Sequence, residues 1–170
     1  MAIISSKTSA GLKDFQAVIE HSGYAITYKY YFCAIHGNNA IDEVWEQLQA
    51  IGTDIAAGKK IDAVAIIRGG GESSGILWQN DLNIAKAICL IPVPVIVAIG
   101  HTPDKFILQD IAWYGAKTPT DGAYRIISLY AAWESHILEI YETIKEELAD
   151  KKLELRENID IWHEYISSTL

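Results

Sequence analysis

Hydrophobic and polar positions along the first 117 residues fall into alternating blocks, which predict strands and helices in turn. Short apolar runs indicate buried strands at residues 2–5, 63–67 and 93–99, and a tyrosine-rich, β-branched stretch at 25–33 indicates a further strand. Apolar residues between these runs recur at helical spacing. The β-α order predicts an α/β fold: a Rossmann-like open parallel sheet with helices on both faces.

The helices of this part carry recognisable start and stop signals. A helix is predicted over residues 11–21, a second opens after Asn38 and Asn39 and ends near Gly58, and Asp81 caps a third that runs to about residue 88. Residues 104–113 are expected to form a fourth helix. The expected order is therefore four strands, each followed by a helix.

A different pattern begins at Thr118. Thr118 as N-cap and Pro119 at the first helical position predict a strong helix start, and apolar residues then recur at spacings of three, four and seven as far as Ile166. A helix of about 45–50 residues is about 70 Å long, more than the α/β part can cover. We therefore expect a partner helix, either from another chain or from sequence beyond this one. The expected division is an α/β domain at 1–117 and the start of a coiled-coil region at 118–170.

Composition narrows the class of protein. With 170 residues, 50% of them hydrophobic and 21% charged, the chain has enough apolar side chain for a folded globular domain, which excludes general disorder. We find no apolar run long enough to cross a membrane and no signal peptide. Cys33 and Cys89 stand alone in apolar sequence, so we expect buried thiols and a cytoplasmic location.

The net charge of −8 is concentrated near the C-terminus. Residues 126–170 hold 10 acidic and 4 basic side chains, and residues 1–125 hold 12 and 10. The whole-chain pI of about 5.0 argues against an independent basic nucleic-acid clamp. A nucleic-acid enzyme with a local phosphate pocket remains compatible with it.

Candidate chemistry follows the predicted strands, because ligands bind beyond the carboxyl ends of parallel strands. Ser5, Ser6, Thr8 and Ser9 follow the first strand, with Asp14 in the next helix. Arg68 and the glycines Gly69, Gly70 and Gly71 follow the third strand, and His101 follows the fourth, with Asp104 three residues later. An arginine beside flexible backbone amides suits a phosphate group. No Gly-Lys-Ser/Thr follows the glycines, so this is not a Walker loop.

Each of these features also has a plainer interpretation. The glycines can form only a tight turn, His101 can be structural, and Asp14 can be a solvated helix residue. The remaining histidines do not combine a predicted strand end with a nearby aspartate as His101 does, and we interpret them as non-catalytic.

Four blocks of sequence together resemble a known family. The blocks ISSKTSAGLKDF (4–15), IIRGGG (66–71), IPVPVIVAIGH (91–101) and KTPT (117–120) occur in the same order in the large subunit of exodeoxyribonuclease VII. The resemblance covers about residues 2–127, where that family has its central catalytic domain. It implies an exodeoxyribonuclease that hydrolyses single-stranded DNA and works with small subunits. The family's N-terminal OB-fold domain and most of its coiled-coil region have no counterpart in this sequence.

The resemblance also suggests roles for individual residues. It implies that Asp14, Arg68, His101 and Asp104 are catalytic: Arg68 would bind phosphate with the glycine amides, His101 would act as general base or acid, Asp104 would orient it, and Asp14 would add a second carboxylate. Two carboxylates near phosphate suit Mg²⁺, whereas the resemblance argues against a strict metal requirement, so the metal is left undecided.

The sequence departs from the family pattern at three places. A Glu-Ser-Ser-Gly run follows the glycines, Gln109 stands where the family has an aspartate, and Tyr124 stands where it has a glutamate. These departures keep a rival hypothesis open, in which the chain is a non-catalytic nucleotide- or phosphate-binding module. A third interpretation makes the chain mainly an assembly subunit that acts through its long helix.

Overall fold

The computed structural model describes residues 1–37, 39–69, 77–99 and 106–169. Within these ranges the elements follow one another in the expected alternation. They are β1 (Ala2–Ser5), α1 (Ala10–His21), β2 (Lys29–Phe32), α2 (Ala40–Ala56), β3 (Val64–Ile67), a 3₁₀ helix (Leu77–Asn80), α3 (Leu82–Leu90), β4 (Val95–Ala98), α4 (Ile107–Ile111), β5 (Tyr114–Ala116) and α5 (Pro119–Thr169).

Side-chain caps explain where three of the helices begin. The Ser9 hydroxyl accepts the Leu12 N–H at 3.2 Å, and the Asp81 carboxylate accepts the backbone N–H groups two and three residues later. The Thr118 hydroxyl accepts the Asp121 N–H at 3.1 Å. Each cap satisfies amides that the first helical turn leaves without a partner. The predicted caps at Asp81 and Thr118 are confirmed.

The sheet confirms the predicted fold class. Its strands run in the order β2-β1-β3-β4-β5, and every neighbouring pair is parallel. The chain moves from β1 to one side of the sheet and from β3 to the other. The strand order therefore reverses between β1 and β3, and in sheets of this kind ligands bind beyond the carboxyl ends at that point.

Alternation along the strands divides the core between the two faces of the sheet. One face packs against α2, α3 and α4, with Ile4, Ile66 and Val97 among its strand residues. The other face packs against α1 and the first turns of α5, with Ile3, Ile67 and Ala98 among its strand residues. Helices thus cover both faces, as the strand pattern predicts.

Some details differ from the sequence-based expectation. A fifth strand, β5, follows α4; with three residues including Gly115, it leaves no hydrophobic pattern that could predict it. The β2 strand is shorter than residues 25–33, and α4 ends at Ile111, before Trp113. The expectation of two buried thiols is wrong: Cys89 is exposed because it lies on the outer side of α3, and Cys33 is half-buried.

The chain divides into two compact units, residues 1–127 and 128–170. The first contains the sheet, its helices and the first turns of α5, because Ala123 and Ile126 belong to the core. In the second unit every described side chain from residue 130 to 168 is exposed. The predicted division at 117/118 lies where α5 begins and stays a prediction. None of the helices in the described part has a segment long and apolar enough to cross a membrane.

Candidate functional site

The carboxyl ends of β1, β3 and β4 are held together by short polar contacts. Ser5, fully buried at the end of β1, donates from its hydroxyl to the Ile67 carbonyl oxygen at 2.8 Å. The Arg68 N–H donates to the Ala98 carbonyl oxygen at 3.0 Å. The start of the loop after β3 is therefore fixed on both sides, beside the place where the strand order reverses.

Arg68 stands at this place as a buried cation. Its relative exposure is 7%, and burial lowers the pKa of its guanidinium. An arginine nevertheless stays protonated at neutral pH, because its ordinary pKa lies above 12. A guanidinium held in such surroundings interacts more strongly with an anion than one in water, since the local dielectric is lower.

Gly11 and Gly69 allow α1 to approach the end of β3 closely. A Cβ added to Gly69 would lie 2.8 Å from the Gly11 nitrogen. A Cβ added to Gly11 would lie 2.7 Å from the Gly69 Cα, 2.7 Å from the Pro119 Cγ and 2.9 Å from the Arg68 carbonyl oxygen. Three of these four contacts involve backbone atoms, so only glycine fits at either position. The contact brings the starts of α1 and α5 beside Arg68.

The amino terminus of α1 adds a second favourable element for an anion. Ser9, which caps the helix, lies 3.3 Å from the position of a Cβ added to Gly69. Helix amino termini carry partial positive charge and amides without intrahelical partners. Arg68 and this helix end therefore favour negative charge at the same edge of the sheet.

The predicted site residues fall into two groups. Arg68 and Gly69 lie at this edge, and Asp14 is exposed on α1, three residues after Gly11. Residues three apart are neighbours on the surface of a helix, so Asp14 lies about one turn further along α1 than the glycine contact. The other predicted residues, Gly70, Gly71, His101 and Asp104, lie outside the described residues.

The predicted residues outside the described part fall in the ranges 70–76 and 100–105. The described residues that flank these two ranges lie close together. Before the ranges, Ile67 pairs with Ala98 across β3 and β4. After them, the Ile107 N–H donates to the Asn80 side-chain oxygen at 3.0 Å. The described residues on either side of 70–76 and 100–105 are therefore neighbours at both ends.

The importance of Gly11 escaped the sequence analysis. A glycine in the first turn of a helix has low helix propensity and so destabilises the helix. This unfavourable residue is the one signal in the sequence that a close contact at Gly11 compensates for the cost. Ser5 was named only as one of several polar residues, because nothing in the sequence pairs it with Ile67. Among the residues that the structure describes, no cluster of three histidine, cysteine or acidic side chains could hold a metal ion.

Comparison with known proteins places the chain in a family. A model of the exonuclease VII large subunit matches residues 1–169. Proteins named exodeoxyribonuclease 7 large subunit are 29% identical over 127 residues in Corynebacterium glutamicum, covering 75% of this chain and 30% of the relative. The relative in Deinococcus radiodurans is 28% identical over 152 residues, which covers 88% of this chain and 36% of the relative. The relative in Campylobacter jejuni is 36% identical over 121 residues, which covers 71% of this chain and 30% of the relative.

The chain thus spans about a third of the length of these curated relatives. The match nevertheless includes both the α/β unit and the long helix, since it runs from residue 1 to residue 169. The doubly wound sheet, the buried arginine before the glycines and the ordered sequence blocks all lie within that match. This chain belongs to the exonuclease VII large-subunit family.

Proposed function

We propose that the α/β unit is the catalytic part of an exodeoxyribonuclease that hydrolyses phosphodiester bonds of single-stranded DNA. The observation that carries the proposal is the placement of Arg68 at the strand reversal, buried and beside the amino terminus of α1. Family membership and the names of the relatives support the same activity. A phosphodiester is an anion that gains charge during hydrolysis, so a desolvated cation at this position stabilises the transition state.

In this proposal Arg68 and the amides of Gly69, Gly70 and Gly71 bind the scissile phosphate. His101 acts as general base or general acid, either activating water or protonating the leaving oxygen. Asp104 positions His101 or the water. Asp14 supplies a second carboxylate from α1, where its exposed position leaves it accessible to solvent.

Mg²⁺ would suit this chemistry, because carboxylate oxygens beside a phosphate are the ligands it prefers. In such a site Asp14 of α1 would supply one carboxylate, and Asp104 would have to supply the other. Assays with Mg²⁺ and with EDTA decide whether a metal takes part. Activity that is unchanged in EDTA would exclude an essential divalent ion.

The proposed partners follow from the family. We propose that the long helix is the start of a coiled-coil region that binds the small subunit and also supports self-association. Its support is the exposure of the apolar side chains along the helix from Trp133 to Ile166. A cytoplasmic location fits this role, and Cys33 and Cys89 are both free thiols.

The test is a nuclease assay on the full-length large subunit with its small subunit. Labelled single-stranded DNA should be shortened, and a duplex of the same sequence should be resistant. His101→Ala should lower the cleavage rate by about 10²–10⁴, because alanine cannot transfer a proton. His163→Ala, in the exposed part of α5, is the matched control and should cleave at the wild-type rate.

Two results would contradict the proposal. A wild-type complex that leaves single-stranded DNA intact in Mg²⁺ and in EDTA would refute the activity. A folded His101→Ala complex with the wild-type rate would remove His101 from the mechanism. Circular dichroism and the melting temperature show whether each variant is folded.

A further inference from the structure

The edge strand β2 carries a row of aromatic side chains on one face. Tyr30 and Phe32 are 36% and 38% exposed, and Tyr28, just before the strand, is half-buried. The rings of Tyr30 and Phe32 stack with their centroids 5.2 Å apart and their planes 1° from parallel. The Tyr28 ring follows at 6.0 Å from Tyr30, tilted by 42°. We call these three residues the aromatic row.

The opposite face of β2 packs against the core and forms polar contacts with the rest of the domain. Tyr31 points into the core and its hydroxyl donates to Asp54 at 2.5 Å, while Asp54 also forms ion pairs with Lys29 and Lys59. Alternation in a strand sends neighbouring side chains to opposite faces. The aromatic row therefore lies on the α1 side, where Tyr28 packs against the core.

The orientation of the row is fixed before any ligand binds. Gln16 of α1 donates from its side-chain nitrogen to the Tyr30 hydroxyl at 2.5 Å. Stacking then aligns Phe32 with Tyr30. A preformed aromatic surface loses little conformational entropy when a planar ligand stacks on it.

A cation stands at the end of the row nearest the candidate site. The Lys7 ammonium lies over the Phe32 ring, 5.7 Å from its centroid. Phe32 pairs in register with Ser5, and the Ser5 hydroxyl binds the carbonyl of Ile67, the residue before Arg68. The Phe32 backbone thus lies about 10 Å from the Arg68 backbone, which is two strand spacings.

Aromatic faces combined with a lysine are the elements that bind unpaired bases and their phosphates. An edge strand also leaves the row without a neighbouring strand on its outer side. We propose that Tyr30 and Phe32, with Tyr28 behind them, form a base-stacking surface for single-stranded DNA, and that Lys7 binds an adjacent phosphate and guides the strand toward Arg68. This inference rests on the proposed function, since it assigns that DNA a path to the site.

The experiment measures binding by fluorescence anisotropy with two labelled strands of equal length, an oligothymidylate and an abasic strand. Both carry the same phosphates, and only the first has bases. The wild-type 170-residue chain should prefer the oligothymidylate. Phe32→Leu and Tyr30→Leu should each weaken that binding about tenfold and leave abasic-strand binding unchanged, because they remove a stacking face and keep an apolar side chain.

Controls separate stacking from other effects. Trp45→Leu removes an exposed aromatic side chain from α2, on the other face of the sheet, and should leave both affinities unchanged. Phe32→Tyr keeps the ring and should retain wild-type preference. Lys7→Gln should weaken both strands and reduce the salt slope of binding by about one. Thermal melts confirm that each variant is folded.

The outcomes distinguish this proposal from the proposed activity. A wild-type chain that binds both strands equally, or leucine variants that keep the preference, would overturn the base-stacking surface. Leucine variants that lose self-association but bind DNA normally would assign the face to protein contact and also overturn it. If the row confers base preference but the full-length complex never cleaves DNA, the stacking surface stands and the nuclease proposal fails. If cleavage needs Arg68 but the row confers no base preference, the nuclease proposal stands and the stacking surface fails.

Discussion

The α/β unit and the helical unit differ in how far their large apolar side chains are buried. In residues 1–127 the strands β1, β3 and β4 are enclosed on both faces, and side chains such as Phe15, Ile66 and Trp78 are almost completely buried. In residues 130–168 every described side chain is exposed, including Trp133, Trp162 and the aliphatic residues between them.

The difference separates the apolar residues that the fold of this chain buries from those that it leaves exposed. Burial of apolar surface stabilises the α/β unit from within. The apolar residues of the helix cannot contribute in this way until something covers them, since a helix in water gains its stability mainly from packing of an apolar face. We therefore expect the chemistry in the α/β unit and the assembly contacts on the helix.

Loss of Arg68 tests whether the chemistry belongs to the α/β unit alone. In the full-length complex, Arg68→Ala should lower the rate of single-stranded DNA cleavage by about 10²–10³, because a contact to the charged transition state is lost. Arg68→Lys should restore only part of the rate, since ammonium keeps the charge without the bidentate fork.

Arg156→Ala removes the same charge from the exposed helix and should leave the single-turnover cleavage rate unchanged. A comparable loss of that rate in both alanine variants would break the division of roles between the two units. The melting temperature of each complex serves as the folding control.

Gly11→Ala should be the strongest test of the packing at the site. Its added Cβ would meet the Gly69 Cα and the Arg68 carbonyl oxygen, so α1 must shift. We expect a loss of about 1–3 kcal/mol in the free energy of unfolding, as for overpacked cores. Urea denaturation of the 170-residue chain measures it.

Gly52→Ala is the matched control for this variant. Gly52 lies inside α2, and a Cβ there meets nothing within 4 Å. Replacement by alanine should therefore stabilise the chain by about 0.5–1 kcal/mol through helix propensity. Equal effects of the two substitutions would contradict the close contact of α1 with β3.

Self-association tests the helical unit. Replacing Ile144 and Leu148, which are 50% and 65% exposed, by glutamine removes two apolar side chains from the stripe. The dissociation constant for self-association should rise at least tenfold, because each covered side chain contributes about 1.5–3 kcal/mol. The melting temperature of the α/β unit should not change.

Light scattering coupled to size-exclusion chromatography measures this effect, with Glu146→Gln as the exposed polar control. A wild-type chain that is monomeric at every concentration would refute self-association. It would leave the small subunit as the partner expected for the stripe.

The smallest effect concerns pH and the Asp54 cluster. Hydrogen bonds from Lys29, Lys59 and Tyr31 hold the pKa of Asp54 well below its ordinary value. The folded state then binds a proton less readily than the unfolded state. The resulting stability is present above the unfolded pKa of about 4 and is lost as the pH falls through the lower folded pKa.

Asp54→Asn should therefore make the free energy of unfolding fall less steeply with decreasing pH below about pH 4. Urea titrations at several acidic pH values measure the slopes of the variant and of the wild type. An Asp54→Asn slope identical to that of the wild type would show that the cluster contributes nothing to acid stability.

Much of the architecture follows from local sequence. The apolar runs at β1, β3 and β4, the caps at Asp81 and Thr118, and the helical spacing after Pro119 act through neighbouring residues, so they can be read from the chain in order. The same residues supplied the family resemblance that the comparison confirms. Asp14, Arg68 and Gly69 could be named as candidates because they follow predicted strands, but their roles stay predictions, as do those of His101 and Asp104.

Other features depend on which segments meet in space. The sequence alone determined the alternation of strands and helices, the start of the long helix and the candidate residues at the strand ends, because periodicity and capping are local. Only the tertiary structure decided that β2 is the edge strand, that Tyr30 and Phe32 are exposed while Tyr31 is buried, and that Gly11 touches Gly69. The physical reason is that strand order and close packing depend on contacts between residues distant in sequence, which no local pattern records.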